Sequence, residues 1–296
     1  MDLSGLKDIQ DCELFESINL EKYTTIKLAE LGNILISKSV ENLKEVCEYL
    51  VDKDIKYHVV GWGANQVLLN TKETLFIKLD FPLDKSVFKE VRDEYILPAS
   101  TSLNLLTSHA GKFGLKGWKV FTGIPASFGG AICMNAGTAL GEIGDLIKSV
   151  RILRPNGEIR EHHCDKNSFS YRKNNFLRSG EIIIEGTIIH LGLDDNVARE
   201  IKEYLEYRKK SQPLRTKNCG SVFKNYSQNF KAGATIDRLG LKSFGDDHLK
   251  VSELHGNFVE NLGEASALEF KELVECLKID IERYTGNTFE LEVKVY

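Results

Sequence analysis

The sequence predicts an α+β protein made of about three compact pieces rather than one large doubly wound sheet. Three observations support this prediction. The first third reads as a β-α-β unit that ends on a glycine turn, residues 75–193 are dominated by strand-like runs, and the segment from 211 onward mixes loops and short strands with one long helix. The composition shifts near residues 75–80 and again near 205, which suggests borders between the pieces.

In the first third, residues 33–37 predict a strand, and residues 40–53 predict a helix because their apolar side chains recur at helical spacing. Residues 56–60 predict a second strand, which leads into the loop Gly61-Trp-Gly-Ala-Asn. Together these segments form one β-α-β unit.

Beyond this unit, apolar and β-branched runs predict further strands at 75–79, 149–153, 159–163 and 181–191. The sequence Arg154-Pro-Asn-Gly-Glu between two of them is typical of a hairpin turn. Residues 196–210 and 266–284 predict helices, and residues 289–296 predict a terminal strand with Glu290, Glu292 and Lys294 on one face.

The composition excludes several classes of protein. The 296 residues are 42% hydrophobic and 28% charged, which is ordinary for a chain with a real core. A net charge of −4 argues against nucleic acid and anionic membranes as partners, and no apolar run reaches transmembrane length. The acidic first residues, which Gly5 interrupts, lead us to expect no signal peptide. The six cysteines are scattered without a C-x-x-C pair, so we expect no metal site and a cytoplasmic, reducing setting.

Two glycine-rich segments are candidate phosphate sites. The first, Gly61-Trp-Gly-Ala-Asn, lacks the third glycine of a dinucleotide fingerprint, and the chain has no G-x-x-x-x-G-K sequence. The second, residues 123–137, carries four glycines in 15 residues, and such density lets backbone N–H groups crowd around a phosphate. The alternative for both segments is that they are tight structural turns.

Three further positions are candidates for chemistry. Ser221 follows a glycine, so its hydroxyl is reachable, but it lacks a neighbouring base and is better suited to donating a proton than to nucleophilic attack. Arg172 could hold a carboxylate with both arms of its guanidinium. Glu292 lies on the terminal strand face. The alternatives are a serine that merely shapes a turn and a glutamate on a solvated face.

Taken together and in order, these segments resemble the UDP-N-acetylenolpyruvoylglucosamine reductase (MurB) family. The resemblance runs from Tyr23-Thr-Thr to Val293. The segments that carry it are Gly61-Trp-Gly-Ala-Asn, Gly123-Ile-Pro, Gly129-Gly-Ala-Ile-Cys-Met-Asn-Ala-Gly, Tyr171-Arg, Gln212-Pro, Gly220-Ser-Val-Phe-Lys-Asn, Ala232-Gly, Gly240-Leu-Lys, Val251-Ser-Glu-Leu-His-Gly-Asn-Phe-Val-Glu-Asn and Leu291-Glu-Val. The chain has no insertion between the Tyr171-Arg and Gly220-Ser segments, which resembles the shorter, type II form.

The resemblance implies a two-lobed FAD-binding module of the vanillyl-alcohol oxidase type and a smaller α+β substrate-binding domain. The implied borders are 1–78 and 79–205 for the two FAD lobes and 206–296 for the substrate domain. The implied reaction is the NADPH-dependent reduction of UDP-N-acetylglucosamine enolpyruvate to UDP-N-acetylmuramate in peptidoglycan synthesis, by a cytoplasmic monomer that binds neither nucleic acid nor membrane.

The resemblance also assigns roles to residues. Ser221 matches the proton donor, Arg172 the residue that polarises the substrate carboxylate, and Glu292 a second catalytic acid. The residues that match the FAD contacts are Gly61, Gly63, Ala64, Asn65, Gly123, Ile124, Pro125, Ala126, Ser127, Gly129, Gly130, Asn135, Ala136 and Gly137. Those that match substrate contacts or the walls of the substrate pocket are Arg208, Lys209, Lys224, Asn225, His255 and Asn257.

The chain departs from the family pattern on the flavin side, at Ala29-Glu30, Ala64 and Ala126, and also at Tyr226, which follows Lys-Asn. Two other functions are alternatives. One is an FAD-dependent sugar or alcohol oxidase, and the other is a divergent protein that binds flavin or a nucleotide sugar without turnover.

Overall fold

The structure is a computed structural model that describes residues 1–227 and 229–296. Within these residues the helices are α1 Val40–Asp52, α2 Leu103–Phe113, α3 Phe128–Cys133, α4 Val197–Ser211, α5 Ala232–Arg238 and α6 Ala267–Thr285. The strands are β1 Cys12–Asn19, β2 Leu31–Ser37, β3 Lys56–Val60, β4 Gln66–Val67, β5 Thr74–Leu79, β6 Glu94–Pro98, β7 Gly137–Thr138, β8 Gly141–Glu142, β9 Ile147–Leu153, β10 Ile159–His163, β11 Phe169–Ser170, β12 Lys173–Asn174, β13 Ile182–Ile189, β14 Leu249–Val251, β15 Val259–Asn261 and β16 Lys294–Val295.

The chain divides into two compact units, each built from three stretches of sequence. The first unit comprises Met1–Glu16, Asn33–Gly61 and Glu73–Glu206, and the second comprises Ser17–Gly32, Trp62–Lys72 and Tyr207–Tyr296.

A four-stranded sheet of order β1-β2-β5-β3 confirms the predicted β-α-β unit. β5 pairs in parallel with both β2 and β3, and α1 makes the connection between β2 and β3. The Ser39 side chain begins α1 by accepting a hydrogen bond from the Asn42 backbone. The apolar face of α1, which includes Leu43 and Cys47, is fully buried in a core shared with β5. Because β3 ends at Val60, this sheet presents Gly61 at its carboxyl edge.

A second four-stranded sheet, of order β10-β9-β13-β6, is antiparallel throughout. The predicted hairpin is confirmed: Leu153 pairs with Ile159, the Arg154 backbone bonds Glu158, and Gly157 adopts φ +79°. A large core that includes Trp118 lies against this sheet, and it also contains α2 and α3. The expectation of mainly strands between 75 and 193 missed these two helices, although Ser102 caps α2 and its buried residues follow helical spacing.

In the second unit, α6 buries Phe270 in a core with Phe223 and Phe289. α6 begins with a capping box in which Ser266 and Glu269 satisfy each other's backbone N–H groups. Glu30, one of the departures from the family pattern, adds a third bond because its carboxylate accepts from the Ala267 backbone at 2.8 Å.

The terminal strand is shorter than the predicted 289–296. Only Lys294–Val295 form a strand, which pairs in parallel with β4. Residues 290–293 instead pair irregularly with residues 222–224: Lys224 N donates to Glu290 O, and both Glu292 N and Val293 N reach the carbonyl of Val222. The bridge between Phe223 and Leu291 is isolated, so no continuous strand forms over these residues. The predicted alternation of faces still holds, because Phe289, Leu291 and Val293 pack into the core of this unit while Glu290 and Lys294 are exposed.

Candidate active site

The two predicted glycine segments approach each other within the first unit. A Cβ atom built on Gly61 would lie 2.6 Å from Ser127 Oγ, so only glycine fits this contact. Ser127 is itself buried and caps α3, where its Oγ accepts a hydrogen bond from the Gly130 backbone. The structure thus brings together two segments that are separated by about 60 residues of sequence.

Gly129 allows α3 to lie close to the end of β6. Its N–H donates to Ala99 O at 2.8 Å, and a Cβ at this position would lie 2.6 Å from the Ala99 methyl group. Next to it, Phe128 N donates to Thr101 O at 2.7 Å. The hydroxyl of Thr101 is buried and has no hydrogen-bond partner in residues 1–227 and 229–296. A buried hydroxyl of this kind needs a partner from outside those residues or costs free energy.

The turn before α3 needs one glycine but not a second. Gly123 has φ +71°, which favours glycine, whereas Ala126 has no positive φ. Ala126 accepts a hydrogen bond from Leu103 N and donates one to Ile124 O across Pro125. The alanine at position 126 is therefore accommodated without backbone strain.

A lysine that the sequence analysis did not single out lies under the first glycine loop. Lys78 Nζ, on β5, donates to Gly61 O at 3.3 Å. Burial lowers its pKa, and within the described ranges no carboxylate lies within 4 Å of it. The amine remains largely charged near neutral pH because its ordinary pKa is 10.5, so it places a positive charge beside this loop.

Arg172 is held by a small polar cluster, also in the first unit. Its Nη2 donates to Gly137 O at 2.8 Å, and its Nη1 lies 3.7 Å from Oε1 of Glu142. The other oxygen of Glu142 accepts a hydrogen bond from Asn135 Nδ2 at 2.7 Å. The side chain of Arg172 also stacks on the ring of Tyr171, 5.0 Å from its centroid.

The backbone around this cluster is unusual. Asn135 and Arg172 have φ values of +48° and +55°, a region that non-glycine residues rarely adopt. Asn135 is buried and fully engaged, since its amide also bonds Ser170 O and Gly144 N. Residues 135 and 137, predicted as FAD contacts, thus hold Glu142 and Arg172 in place.

In the second unit, the loop at Gly63 is fixed by close backbone contact. Gly63 has φ +64°, and a Cβ there would lie 2.1 Å from Tyr23 O. Next along the loop, Asn65 Nδ2 donates to Glu292 O at 3.0 Å, while Asn65 O accepts from Lys294 N. Ala64, one of the predicted FAD contacts, has its carbonyl 3.6 Å from the position of a Cβ on Gly220. This unit therefore joins the loop at 63–65 with the turn at Gly220 and the segment around Glu292.

The turn that carries Ser221 is clamped by Asn257. Gly220 has φ +76°, and Ser221 follows it half-buried. The side chain of Asn257 is buried and bonds the backbone N–H and C=O of Phe223 at 2.9 and 2.8 Å, and its own carbonyl accepts from Val222 N. The hydroxyl of Ser221 has no hydrogen-bond partner within the described part of the chain, so it is available to a ligand.

Glu292 is bound to the same turn through its backbone, because its N–H donates to Val222 O at 2.8 Å. The neighbouring Glu290 pairs with Lys224 at 3.0 Å, and this contact lowers the pKa of the Glu290 carboxyl. Ser221 and Glu292 thus belong to two adjacent segments that are hydrogen-bonded to each other.

The remaining predicted residues lie elsewhere in the second unit. Arg208 donates to the side chain of Gln212 at 2.8 Å, and Lys209 is exposed on α4. Asn225 Oδ1 accepts from Ala232 N, at the start of α5. His255 Nδ1 accepts from Asn257 N, and burial lowers the pKa of its imidazole.

No group of His, Cys, Asp or Glu side chains able to hold a metal ion occurs in residues 1–227 and 229–296. A search of these same ranges for helices finds none that is long and apolar enough to cross a membrane.

Comparison with known families identifies the class of the protein first. An FAD binding domain family model matches residues 33–162. This region contains the Gly61–Ser127 contact, the glycine-dependent approach at Gly129, the buried Thr101 hydroxyl and the Lys78 cation, all of which fit a bound flavin dinucleotide. The fold and site are those of a flavoprotein.

The second matching model is the UDP-N-acetylenolpyruvoylglucosamine reductase C-terminal domain, over residues 212–296. The reductase of that name from Moorella thermoacetica is 32% identical, with 94% of this chain and 91% of the relative covered. The one from Bacillus subtilis is 30% identical, with 99% and 97% covered. The chain belongs to the UDP-N-acetylenolpyruvoylglucosamine reductase family.

A solved structure agrees with this assignment. The crystal structure of UDP-N-acetylenolpyruvylglucosamine reductase (MurB) from Thermus caldophilus matches with a TM-score of 0.79 at 30% identity, covering 96% of this chain and 98% of that one. The predicted α+β fold is confirmed, with an FAD binding domain and the C-terminal domain of this reductase family. The oxidase and the non-catalytic binding protein are not favoured.

Sequence reasoning missed three residues of the site: Lys78, Thr101 and Glu142. Lys78 is a single lysine in a strand, and Thr101 lies in an ordinary Ser/Thr-rich loop, so neither had a sequence signal. Glu142 follows the second glycine segment closely, and a carboxylate there could have been considered as a partner for Arg172.

Proposed function

We propose that the protein reduces the enolpyruvyl ether of UDP-N-acetylglucosamine enolpyruvate to UDP-N-acetylmuramate, with FAD as cofactor and NADPH as reductant, in peptidoglycan synthesis. Family membership supports this activity. The observation on the structure that carries the proposal is the Ser221 turn, where a hydroxyl without a partner in the described ranges is presented by a rigid backbone.

FAD, when bound, supplies the redox chemistry by passing a hydride from NADPH to the substrate. The residues proposed to hold it in the first unit are Gly61, the segment 123–127, Gly129, Gly130 and Asn135 to Gly137. In the second unit they are Gly63, Ala64 and Asn65. Close backbone approach at the glycines and the positive charge of Lys78 support this assignment.

Three side chains are proposed to act on the substrate. Reduction of the vinyl group pushes negative charge onto the adjacent carbon and its carboxylate, and Arg172 stabilises that charge with a guanidinium already oriented by Gly137 O. Ser221 donates a proton to the carbon that bears the charge. Glu292 acts as the second acid by sharing protons, and its backbone N–H is bonded to the Ser221 turn.

Substrate contacts are proposed for Arg208, Lys209, Lys224, Asn225 and His255, whose cationic and polar groups suit a nucleotide sugar. The contacts of Asn257 favour a role in shaping the substrate pocket rather than in touching the substrate. Both ends of its amide bond the Phe223 backbone, so Asn257 shapes the pocket by fixing the Ser221 turn.

We further propose the borders 1–78 and 79–205 for the FAD lobes and 206–296 for the substrate domain. We expect a cytoplasmic monomer that binds neither nucleic acid nor membrane, in line with its net charge of −4.

An absorbance experiment tests the function. The purified protein should show flavin bands that NADPH bleaches without oxygen and that UDP-N-acetylglucosamine enolpyruvate then restores. Flavin that recovers only when air is admitted would instead indicate an oxidase. A protein that binds no flavin even after reconstitution would indicate the non-catalytic alternative.

A further inference from the structure

The contacts of Arg172 single out one carboxylate without an assigned role. Glu142 lies on β8 directly opposite Gly137 on β7, and the two residues face the same guanidinium. Gly137 O accepts a hydrogen bond from one terminal nitrogen, and the Glu142 carboxylate lies 3.7 Å from the other. One short hairpin therefore supplies two of the groups that hold the guanidinium.

The hairpin fits the guanidinium tightly. A Cβ on Gly137 would lie 2.9 Å from Glu142 Cγ and 3.1 Å from Arg172 Nη1, so even a methyl group would displace one of them. Asn135 holds Glu142 from the other side with a 2.7 Å hydrogen bond. The carboxylate thus has one oxygen on Asn135 and the other facing Arg172, and its orientation is determined.

The burial of the pair makes this contact matter. The side chain of Arg172 is only 16% exposed, and its backbone is in the left-handed region, which is strained unless its surroundings support it. An arginine held in this way loses little side-chain freedom when it binds a carboxylate.

We propose that Glu142 is a positioning residue for the reaction: together with Gly137 O it orients the Arg172 guanidinium toward the substrate carboxylate. Glu142 acts through Arg172 and does not touch the substrate. This inference rests on the proposed function, because it assumes that Arg172 stabilises the charge on the substrate.

The test separates the two half-reactions in the flavin-loaded enzyme by stopped-flow absorbance. Glu142→Gln keeps an oxygen for Asn135 and removes the charge, whereas Glu142→Ala removes both contacts. We expect reoxidation of the flavin by UDP-N-acetylglucosamine enolpyruvate to slow roughly tenfold in Glu142→Gln and about 10–100-fold in Glu142→Ala. In Glu142→Gln, reduction by NADPH and the dissociation constant of FAD should stay within about twofold of wild type, because the glutamine oxygen still accepts the hydrogen bond from Asn135.

Glu158→Gln is the matched control, since Glu158 pairs with Arg154 on an exposed hairpin of the same unit. It should leave both half-reactions unchanged. The inference is overturned if the Glu142 variants reoxidise at the wild-type rate. It is also overturned if both half-reactions and FAD affinity fall together in Glu142→Gln, since that pattern reflects a purely structural role.

Arg172→Lys distinguishes this inference from the proposed function. Slow reoxidation in Arg172→Lys with wild-type rates in the Glu142 variants would overturn only the role of Glu142. Wild-type reoxidation in Arg172→Lys would overturn the role of Arg172 in the proposed function and the inference that depends on it. Failure of the substrate to reoxidise wild-type flavin would overturn the function itself.

Discussion

At the scale of single residues, the half-buried side chain of Ser221 has a hydroxyl without a hydrogen-bond partner in the part of the chain that the structure describes. Its turn is fixed on one side by the amide of Asn257 and on the other by the backbone of Glu292. A hydroxyl held in this way can give its proton to a strongly basic carbon without first having to be oriented.

The role of Ser221 gives the first prediction. Ser221→Ala should bind FAD and be bleached by NADPH like the wild type, but its reoxidation by substrate should slow about 10²–10⁴-fold, the range typical of a general acid. Anaerobic stopped-flow absorbance measures both steps. Ser108→Ala, on the exposed side of α2, is the control. Normal reoxidation in Ser221→Ala would show that another group donates the proton.

The buried hydroxyl of Thr101 gives the second prediction. Because it has no partner in the described part of the chain, replacing it with a methyl group should remove a desolvation cost. Thr101→Val should therefore raise the free energy of unfolding by about 1 kcal/mol, measured by urea titration of the FAD-free protein. Thr101→Ser keeps the hydroxyl and should not show this gain. A loss of stability in the valine variant alone would mean that the hydroxyl is bonded.

At the scale of secondary structure, α6 depends on its first turn. The Ser266–Glu269 capping box and the carboxylate of Glu30 together satisfy N–H groups that the helix cannot satisfy itself. The bond with Ser266 also lowers the pKa of Glu269 to about 2, so the cap stays charged over the ordinary pH range.

This cap gives the third prediction. Ser266→Ala should lower the free energy of unfolding by about 1–2 kcal/mol, because it leaves the Glu269 N–H without its partner. Leu268→Ala, on the exposed face of the same helix, should change it by less than about 0.5 kcal/mol. Chemical denaturation of the two variants makes the comparison. Equal effects would mean that the cap contributes nothing specific.

The sequence predicted the three longest helices, α1, α4 and α6, and six of the eight strands in the two four-stranded sheets, because their apolar spacing is local information. Ser266 precedes a helical pattern, and the Pro-Asn-Gly turn joins two strands, so both elements could be read directly. The terminal strand is shorter than predicted because residues 290–293 meet residues 222–224 through one isolated bridge, at Leu291, and no local pattern encodes where such pairing stops.

At the scale of the whole molecule, stability should depend on pH through His109. This histidine is buried in the core of the first unit, where its imidazole shares a 2.9 Å hydrogen bond with Tyr95. Burial, and secondarily the charge of Lys112, lower its pKa to about 4 from an ordinary 6.5. The unfolded chain therefore takes up a proton below pH 6.5 that the folded protein does not take up until about pH 4.

The lowered pKa of His109 gives the fourth prediction. The contribution of His109 to the free energy of unfolding is constant above pH 6.5 and falls as the pH drops toward 4, by about 3 kcal/mol. Thermal unfolding from pH 7.5 to 4.5 should show a smaller pH dependence in His109→Phe than in the wild type. His163→Gln, an exposed substitution on β10, is the control. An unchanged slope in His109→Phe would contradict the assignment.

By itself the sequence determined the α+β fold class, the family, the cofactor and the types of residue at the candidate site. It could do so because glycine segments, helical spacing and turn sequences are local and keep their order along the chain. Only the tertiary structure decided which groups meet. It placed Gly61 against Ser127, clamped the Ser221 turn with Asn257, and set Glu142 beside Arg172. Such contacts join residues that lie far apart in sequence, so their geometry depends on how the intervening chain packs.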